Sequence, residues 1–487
     1  MDFAWGLILD LGIISGALLI ATYVRARVRF FQKYLIPNAL TAGFILLLLY
    51  NFLFPLMNES VGSNVTSERF GEMVYHLLNI SFIAMTLRKP PENRERVKSA
   101  IFPTSVAVLS QYAVQAFGGL LITILFISTI FPDLFPAFGF LLPLGFVLGP
   151  GQAFAIGSGW HSMGFPGAGT VGLTFAAIGF LWACFGGVFL INYGIRRGWV
   201  SREQIAVLKS RDVRTGVYQD HEEKPVGSKL STETEAIDSM SYHIGLVFFV
   251  YLLSYLLLKG LTALLSLIGP LGYELAVNLW GINFVFSALV AMLFRFIAVK
   301  LKVSFTFDNH TLSRISGLSV DVMVTSAIGA ISLVVVGQYI IQILLMSTIA
   351  GILALWLVPW FCSRIFTDHQ FHRMLLVYGV STGTMPTGLA LLRVIDPNFE
   401  TPAASDYMFS TGITFLLAIP LILSINLPAY SATQNNPALM WTAVGVCFGY
   451  VLFVVISFLV ISKRRAVRSP SQVWYPLSLG NGKAKAS

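Results

Sequence analysis

The sequence contains little charge. Asp, Glu, Lys and Arg make up only 11% of its 487 residues, against about 25% in ordinary soluble domains. Hydrophobic residues make up 56%, and the mean hydropathy is +0.75. A soluble chain of this length would have to expose far more polar side chains than this sequence offers. The scarcity of charge therefore excludes a soluble enzyme and a disordered chain, and it indicates a polytopic membrane protein.

Cysteines are few, and the common catalytic motifs are missing. The three cysteines, Cys184, Cys362 and Cys447, lie in or beside apolar runs and form neither a disulfide framework nor a metal-binding spacing. The seven histidines include no H-E-x-x-H pattern, and the sequence has no P-loop and no G-x-S-x-G element. We therefore expect neither an ATP-driven pump nor a membrane hydrolase, no enzymatic activity and no cofactor.

Long apolar runs predict membrane-spanning helices, because a helix needs about 20 apolar residues to cross the hydrocarbon core. A barrel would instead show strands of about ten residues with alternating polarity. Eleven runs in the sequence are long enough, and they lie near 4–24, 35–56, 69–87, 100–130, 168–193, 242–265, 274–299, 315–334, 337–362, 404–427 and 438–462. Two further apolar segments, near 137–161 and 373–395, are rich in Gly, Pro, Ser and Thr and are not typical of continuous helices.

The distribution of basic residues indicates the orientation. The net charge is +9, which we attribute to the excess of Lys and Arg in cytoplasmic loops and not to nucleic-acid binding. If the two Gly- and Pro-rich segments do not cross the membrane, only Arg69 and Lys259 of the 32 Lys and Arg residues lie outside. This pattern predicts two re-entrant hairpins, the first from outside and the second from inside. It also predicts a multi-pass protein of the cell (inner) membrane with its N-terminus outside and its C-terminus in the cytoplasm.

The order of spans predicts an inverted repeat. Each half has five spans with a hairpin before the fifth, and the odd number of crossings inverts the second half. The stretch 71–87 aligns without gaps on 317–333, with weak identity that includes Gly71 with Gly317 and Ala84 with Ala330. The fold class is therefore an all-α polytopic membrane protein with an inverted 5+5 span repeat, two re-entrant hairpins and one extra C-terminal span. Its parts are a first repeat (1–193), a cytoplasmic linker (194–241), a second repeat (242–427), an extra span (438–462) and a cytoplasmic tail (463–487).

Inverted repeats with interrupted helices are typical of secondary transporters. A broken helix has free N–H groups at one end, which suit anions, and free C=O groups at the other, which suit a hard cation such as sodium. The hairpin segments and the residues beside them supply the candidate substrate-binding residues, which are Gly149, Gly151, Gln152, Ser158, Thr382, Gly383, Thr384, Thr387 and Arg393. Helix packing by small residues is the alternative for the glycines, and reaching the inner interface is the alternative for Arg393.

Polar residues inside the spans supply candidate sodium ligands, because such residues are costly in lipid unless they have a role. The candidates are Asn79, Ser81, Asp321, Thr325, Ser326 and Ser381. Asp321 with Thr325 and Ser326 lies on adjoining faces of one helix. The alternative for Asp321 is a position near the inner headgroups.

These elements resemble the bacterial sodium:glutamate symporter family. The resemblance covers about residues 1–428 and rests on the span order, the two hairpins, the start of the second span (Ile36 to Gly43) and the element Thr384-Met385-Pro386-Thr387. The first hairpin departs from the family, because Leu148-Gly149-Pro150-Gly151-Gln152 stands where the family has Gly-Gly-His-Gly-Thr. The second departs less, with Thr384-Met385-Pro386-Thr387-Gly388 in place of Ala-Thr-Pro-Thr-Ala. The resemblance implies a homodimer and an elevator-like movement of the hairpin-bearing core.

The sequence therefore predicts sodium-coupled symport of glutamate or a related anionic amino acid or carboxylate by alternating access. The partners we expect are the lipid bilayer, a small anionic solute and sodium as the coupling ion. The alternatives on the same scaffold are proton coupling and a di- or tricarboxylate substrate, and a channel is a further one.

Overall fold

The computed structural model describes most of the chain. The described residues are 5–34, 36–56, 67–89, 100–199, 214–218, 226–267, 269, 276, 279–280, 283–396, 401–467 and 474. All regular structure within them is helical, and they contain no strand. The predicted all-helical class is therefore confirmed.

The helices are numbered along the chain. Those before the linker are α1 (Gly6–Arg27), α2 (Arg29–Tyr34), α3 (Asn38–Leu48), α4 (Ser67–Leu87), α5 (Ile101–Thr129), α6 (Phe138–Leu148), α7 (Pro150–Gly159) and α8 (Ala168–Arg196). Those after it are α9 (Ser239–Ser266), α10 (Asn283–Lys300), α11 (Asn309–Gly329), α12 (Leu333–Gln338), α13 (Ile340–Ile365), α14 (Gln370–Thr382), α15 (Met385–Ile395), α16 (Ala403–Leu423), α17 (Leu427–Thr433) and α18 (Pro437–Ser462).

Among the described residues, nine helices are long and apolar enough to cross a membrane. They match nine of the eleven predicted spans, so the chain has the character of a polytopic membrane protein. The predicted span 35–56 is the shorter helix α3, which continues through a π-helical turn at Leu49–Leu53. The predicted span 315–334 is largely α11, whose Ser, Thr, Arg314 and Asp321 residues keep it less apolar than the nine.

Apart from the short α2, which contacts both α1 and α8, the helices pack as two groups. Group A contains α1, α3, α4, α9, α10 and α11, and group B contains α5 to α8 and α12 to α18. Within group A, Ser81 on α4 bonds to Ser316 on α11 at 2.9 Å, and Thr325 on α11 donates to the Ala39 carbonyl at 3.1 Å. Within group B, Ser105 on α5 donates to the carbonyl of Ser410 on α16 at 3.1 Å.

The extra C-terminal span belongs to group B. On α18, the Phe448 ring packs at a tilt against Phe117 of α5 with ring centroids 5.7 Å apart, and Phe458 stacks against Trp360 of α13 at 5.3 Å. The Tyr450 hydroxyl donates to a carbonyl of α16 at 2.6 Å. Helix α18 therefore packs on the outside of group B through α5, α13 and α16.

The two stretches that align as repeat counterparts are antiparallel neighbours. The Lys89 N–H at the end of α4 donates to Asn309 at the start of α11 at 2.7 Å. At the opposite end, a Cβ built on Gly329 would lie 3.2 Å from the Phe70 ring. The helices that contain 71–87 and most of 317–333 therefore run side by side in opposite directions.

Only parts of the interval 194–241 are described. Residues 194–199 end and follow α8 and contact group B, where Trp199 packs against Phe371 of α14, whereas the described residues from 214 onward contact group A, to which Arg25 of α1 belongs. Arg314 donates to the carbonyl of Gly227 at 2.7 Å, and the Lys229 N–H donates to Asp308 at 3.1 Å. Burial acts to raise the pKa of Asp308, but hydrogen bonds from Thr311 and from the Lys229 backbone outweigh it, so the pKa lies below its usual range. Asp308 is the N-cap of α11. Residues 200–213 and 219–225 of the predicted linker, and 468–487 of the tail apart from Trp474, lie outside the described residues.

Candidate functional site

The first break in a helix lies at Gly149, between α6 and α7. Gly149 has φ +96° and ψ 179°, a conformation essentially restricted to glycine. Pro150 begins α7, where its missing N–H is not needed. The arms fold back on each other, since the rings of Phe135, before α6, and Trp160, after α7, are 5.6 Å apart. We call residues 138–159 the first hairpin.

The second break lies at Gly383 and Thr384, between α14 and α15. Its arms pack closely, because a Cβ built on Gly379 would lie only 2.6 Å from the Gly388 Cα. Two glycines face each other here because any larger side chain would separate the arms. We call residues 370–395 the second hairpin.

Helix α8 supports both hairpins at opposite halves of its length. It has 29 residues and is therefore about 43 Å long. A Cβ on Gly157 of the first hairpin would lie 2.8 Å from the backbone of Ala168, at the start of α8. In the second hairpin, the Tyr378 hydroxyl donates to the carbonyl of Trp182 at 2.9 Å, and a Cβ on Gly194 of α8 would lie 2.5 Å from the Phe371 ring. The hairpins therefore approach the middle of α8 from its two ends.

The two breaks meet near the middle of α8. A Cβ built on Gly149 would lie 2.6 Å from Thr384 Cγ2, so these residues are in direct contact. Beneath them, a Cβ on Gly179 of α8 would lie 2.5 Å from the Thr382 carbonyl oxygen. We call this meeting point of Gly149 and Thr384 the junction. Four helix ends converge there: the C-terminal ends of α6 and α14 and the N-terminal ends of α7 and α15.

Most of the predicted substrate residues lie within one helical turn of the junction. The Thr384 and Thr387 hydroxyls are 3.3 Å apart. The Thr382 and Ser381 hydroxyls donate to carbonyls of their own helix at 2.8 and 2.6 Å, which leaves their oxygens able to accept or to coordinate. The residues brought together are Gly149, Gly151, Gln152, Ser381, Thr382, Gly383, Thr384 and Thr387. Among these, Gly151 has a packing role as well, because a Cβ there would lie 2.6 Å from Leu78 of group A.

The side chain of Gln152 points toward the junction and has an unused acceptor. Gln152 is 2% exposed, and its Oε1 has no hydrogen-bond partner among the residues that the structure describes. That oxygen lies 3.9 Å from the position of a Cβ on Gly149. A buried polar atom without a partner costs about 1–3 kcal/mol, so this atom is suited to a ligand.

Gln115 of α5 is a site residue that the sequence interpretation missed. Its Nε2 donates to the carbonyl of Ser381 at 3.2 Å, and its buried Oε1 has no hydrogen-bond partner within the described ranges. Because the Nε2 faces a carbonyl acceptor, the Oε1 is the atom that remains for a cation or a donor. The available signal was a pair of glutamines, Gln111 and Gln115, in the middle of a largely apolar span.

Two predicted substrate residues lie away from the junction. Ser158 is exposed at the far end of α7, beside Gly169 at the start of α8. Arg393 is exposed on the last turns of α15, toward the base of the second hairpin. Ser158 lies about two and a half helical turns from Gly149 along α7, and Arg393 lies about as far from Thr384 along α15.

The predicted sodium ligands on α4 lie inside group A. The Asn79 Oδ1 accepts a hydrogen bond from Ser287 of α10 at 2.8 Å, and Ser287 is 3.0 Å from Ser254 of α9. Ser81 bonds to Ser316 of α11. All of these side chains are buried, and they join four helices of group A through neutral hydrogen bonds.

The predicted cluster on α11 is divided. Asp321 is exposed and has no hydrogen bond or ion pair among the described residues. Thr325 is fully buried and bonds to the Ala39 carbonyl. Ser326 is also fully buried, and no described residue hydrogen-bonds to its Oγ. Asp321 and Thr325, four residues apart, therefore occupy different environments, and only Ser381 of the predicted ion set lies at the junction.

The base of each hairpin is held to the ends of α16. In the second hairpin, Arg373 is 2% exposed and pairs with Asp406 of α16 at 2.5 Å and with Asp368 at 2.9 Å. In the first, the Trp160 indole donates to Asn426, just after α16, at 2.8 Å. The hairpins and α16 therefore form one connected body within group B.

No three His, Cys, Asp or Glu side chains of the described residues come close enough together to hold a metal ion. The donors at the junction are hydroxyls, carboxamides and backbone groups, which suit sodium better than a transition metal. In comparisons with known proteins, no protein-family model, curated protein or solved structure matched this chain. The resemblance to sodium:glutamate symporters therefore remains a prediction from the sequence.

Proposed function

We propose that this chain is a secondary active transporter that couples sodium to the uptake of glutamate or a related anionic amino acid or carboxylate by alternating access. The observation that carries the proposal is the junction. Two helix breaks from opposite halves of the chain meet near the middle of α8, where a Cβ on Gly149 would lie 2.6 Å from Thr384. Interrupted helices that converge at mid-depth are the usual binding-site architecture of such transporters.

The proposal includes a re-entrant path for both hairpins in an inverted repeat. It is supported by the way the hairpins approach the middle of α8 from opposite ends, and by the contact between Phe135 and Trp160 at the base of the first. The positions of the basic residues support it independently, because a crossing by either hairpin would place many Lys and Arg residues outside. On this topology the protein resides in the cell membrane with its C-terminus in the cytoplasm.

The chemistry of the junction is compatible with a carboxylate and sodium. The N-terminal ends of α7 and α15 direct free N–H groups toward it, which favours an anion. The Ser381 and Thr382 carbonyls, together with the Thr384 and Thr387 hydroxyls, are oxygen donors of the type a hard cation prefers. Sodium is a better choice than a proton here, because the junction residues are Gly, Pro, Ser, Thr and Gln, and none of them binds a proton at physiological pH.

Movement of group B against group A would provide alternating access. The Arg373–Asp406 ion pair and the Trp160–Asn426 hydrogen bond fix both hairpin bases within group B. We therefore propose that the hairpins travel with group B as one body while group A stays fixed, and that group A forms the interface of a homodimer.

The test is uptake of labelled glutamate into proteoliposomes, with and without an inward sodium gradient. We expect saturable uptake that requires the gradient, and flux that does not saturate would indicate a channel. Thr387→Val removes a junction hydroxyl at nearly constant volume and should raise the sodium concentration needed for half-maximal uptake about tenfold or more, as for a lost ligand worth 1.4 kcal/mol. Thr411→Val is the matched control, because that hydroxyl lies on α16 away from the junction and donates to the Tyr407 carbonyl of its own helix at 3.0 Å.

If no amino acid or carboxylate tested shows uptake that depends on sodium, the proposal is refuted. An equal effect of the Thr387 and Thr411 substitutions would refute the assignment of sodium to the junction.

A further inference from the structure

The segments of group B that form the junction contain no strongly ionisable side chain. No Asp, Glu, Lys, Arg or His occurs in 101–132, 138–160, 168–195 or 374–392. These ranges include α5, both arms of the first hairpin, nearly all of α8 and the inner part of the second hairpin. A charged solute at the junction therefore cannot form an ion pair with a side chain of these segments.

The fixed positive charge at the junction comes from two helix N-termini. Helices α7 and α15 have 10 and 11 residues and begin at Pro150 and Met385, on either side of the contact between Gly149 and Thr384. Each N-terminus is equivalent to about half a positive charge, so the two together offset about one negative charge. The C-terminal ends of α6 and α14 carry the opposite sign, which the sodium ion of the proposed function would offset.

Gln152 gives an independent indication of a ligand. Its side chain is 2% exposed, its Oε1 has no hydrogen-bond partner in the described part of the chain, and that oxygen points toward Gly149. A carboxamide oxygen accepts a hydrogen bond but brings no net charge. The group it would recognise is a donor on the substrate, such as the ammonium group of an amino acid.

On the basis of the proposed function, we infer that the transporter selects by net charge. It accepts amino acids of net charge −1 or zero, whose ammonium group donates to Gln152, and it rejects dianionic dicarboxylates and tricarboxylates. Glutamate satisfies the rule, because its ammonium group offsets one of its two carboxylates. A dianion does not, because its second charge would be buried without a partner, and an uncompensated buried charge is strongly unfavourable.

The test compares competitors of labelled glutamate uptake by the full-length protein in proteoliposomes. Glutarate has the carbon skeleton of glutamate without the ammonium group and is a dianion at neutral pH. We expect glutarate to compete at least a hundredfold less well than glutamate, and to improve when the pH is lowered until one carboxylate is protonated. Equal competition by the two compounds at neutral pH would overturn the inference without any variant.

Substitutions at Gln152 test its role directly. Gln152→Lys adds the missing positive charge and should improve competition by glutarate relative to glutamate about tenfold or more. Gln152→Met keeps the side-chain volume but removes the hydrogen-bond acceptor. It should weaken the binding of glutamate without improving competition by glutarate. Gln338→Lys is the matched control, because Gln338 is exposed at the end of α12, and it should leave the ratio unchanged.

The outcomes separate the two proposals. If no carboxylate is taken up along a sodium gradient, the proposed function itself fails. If glutamate is taken up normally but the ratio of glutarate to glutamate is unchanged in Gln152→Lys, only the inference about charge selection fails.

Discussion

Gly149→Ala tests whether the two hairpins meet as described. The added methyl group meets two obstacles. First, φ +96° with ψ 179° at this position costs a residue with a Cβ roughly 1–3 kcal/mol. Second, the Cβ would lie 2.6 Å from Thr384 Cγ2, about 1 Å inside ordinary carbon–carbon contact at 3.5–4.0 Å, and overpacking of this kind costs about 1–3 kcal/mol.

A second substitution separates these two costs. Thr384→Ser removes Cγ2 and keeps the hydroxyl that lies beside Thr387. In the double variant the backbone strain remains, whereas the steric overlap is gone. The double variant Gly149→Ala/Thr384→Ser should therefore be more stable than Gly149→Ala alone by about 1–3 kcal/mol, and less stable than the wild-type protein.

The assay is thermal unfolding of the purified protein in detergent. Samples are heated to a series of temperatures, and size-exclusion chromatography measures the folded protein that remains. Gly118→Ala is the matched control, because a Cβ there meets nothing within 4 Å, and we expect it to unfold at the wild-type temperature or slightly above. If Thr384→Ser does not raise the unfolding temperature of the Gly149→Ala variant, Thr384 is not the residue that faces Gly149. The two hairpins then do not meet as described.

Three further predictions concern residues outside the junction. Asn79→Ala and Ser287→Ala should lower the unfolding temperature by similar amounts and leave the sodium dependence of uptake unchanged; a selective change in sodium dependence for Asn79→Ala would return Asn79 to the ion site. Arg373→Met should destabilise by about 3–5 kcal/mol, because it leaves Asp406 buried without its cation, whereas Arg373→Met with Asp406→Leu should recover most of that loss; unfolding of the double variant below Arg373→Met would contradict this. Asp308 has a lowered pKa in the folded protein, so its stabilising effect is complete above the pKa of the unfolded chain and is lost as the pH falls through the folded pKa. Unfolding temperatures measured from neutral to acid pH should therefore converge for wild type and Asp308→Ala at the acid end, and a constant difference would refute the capping role.

The two helix breaks could be predicted from sequence because their causes are local. A glycine frees the backbone at a single position, as at Gly149 and Gly383, and a proline restricts it, as at Pro150 and Pro386. The sequence shows these residues directly. The charge pattern added the direction of approach for each hairpin. The contact between Gly149 and Thr384 could not be derived in this way, because it depends on how α8 holds two segments more than 200 positions apart.

The partners of the predicted ion ligands on α4 and α11 could not be derived from the sequence. A polar residue in an apolar helix indicates that a partner exists, but helical periodicity does not identify the partner. Asn79 bonds to Ser287 of α10, and Thr325 bonds to a carbonyl of α3. The packing of neighbouring helices therefore determines which partner each side chain has. Arg373 was missed for the same reason, since its partner Asp406 lies on another helix.

The central claim is that the junction is the substrate site and is reached alternately from the two sides of the membrane. Thr384→Cys tests it most directly, because Cys184, Cys362 and Cys447 are all buried and should not react with an impermeant thiol reagent. We predict that Thr384→Cys reacts from one side at a time, that the reactive side changes with the direction of the sodium gradient, and that sodium with glutamate slows the reaction. Reaction that is unaffected by sodium and glutamate, in a protein that still accumulates glutamate, would contradict the account.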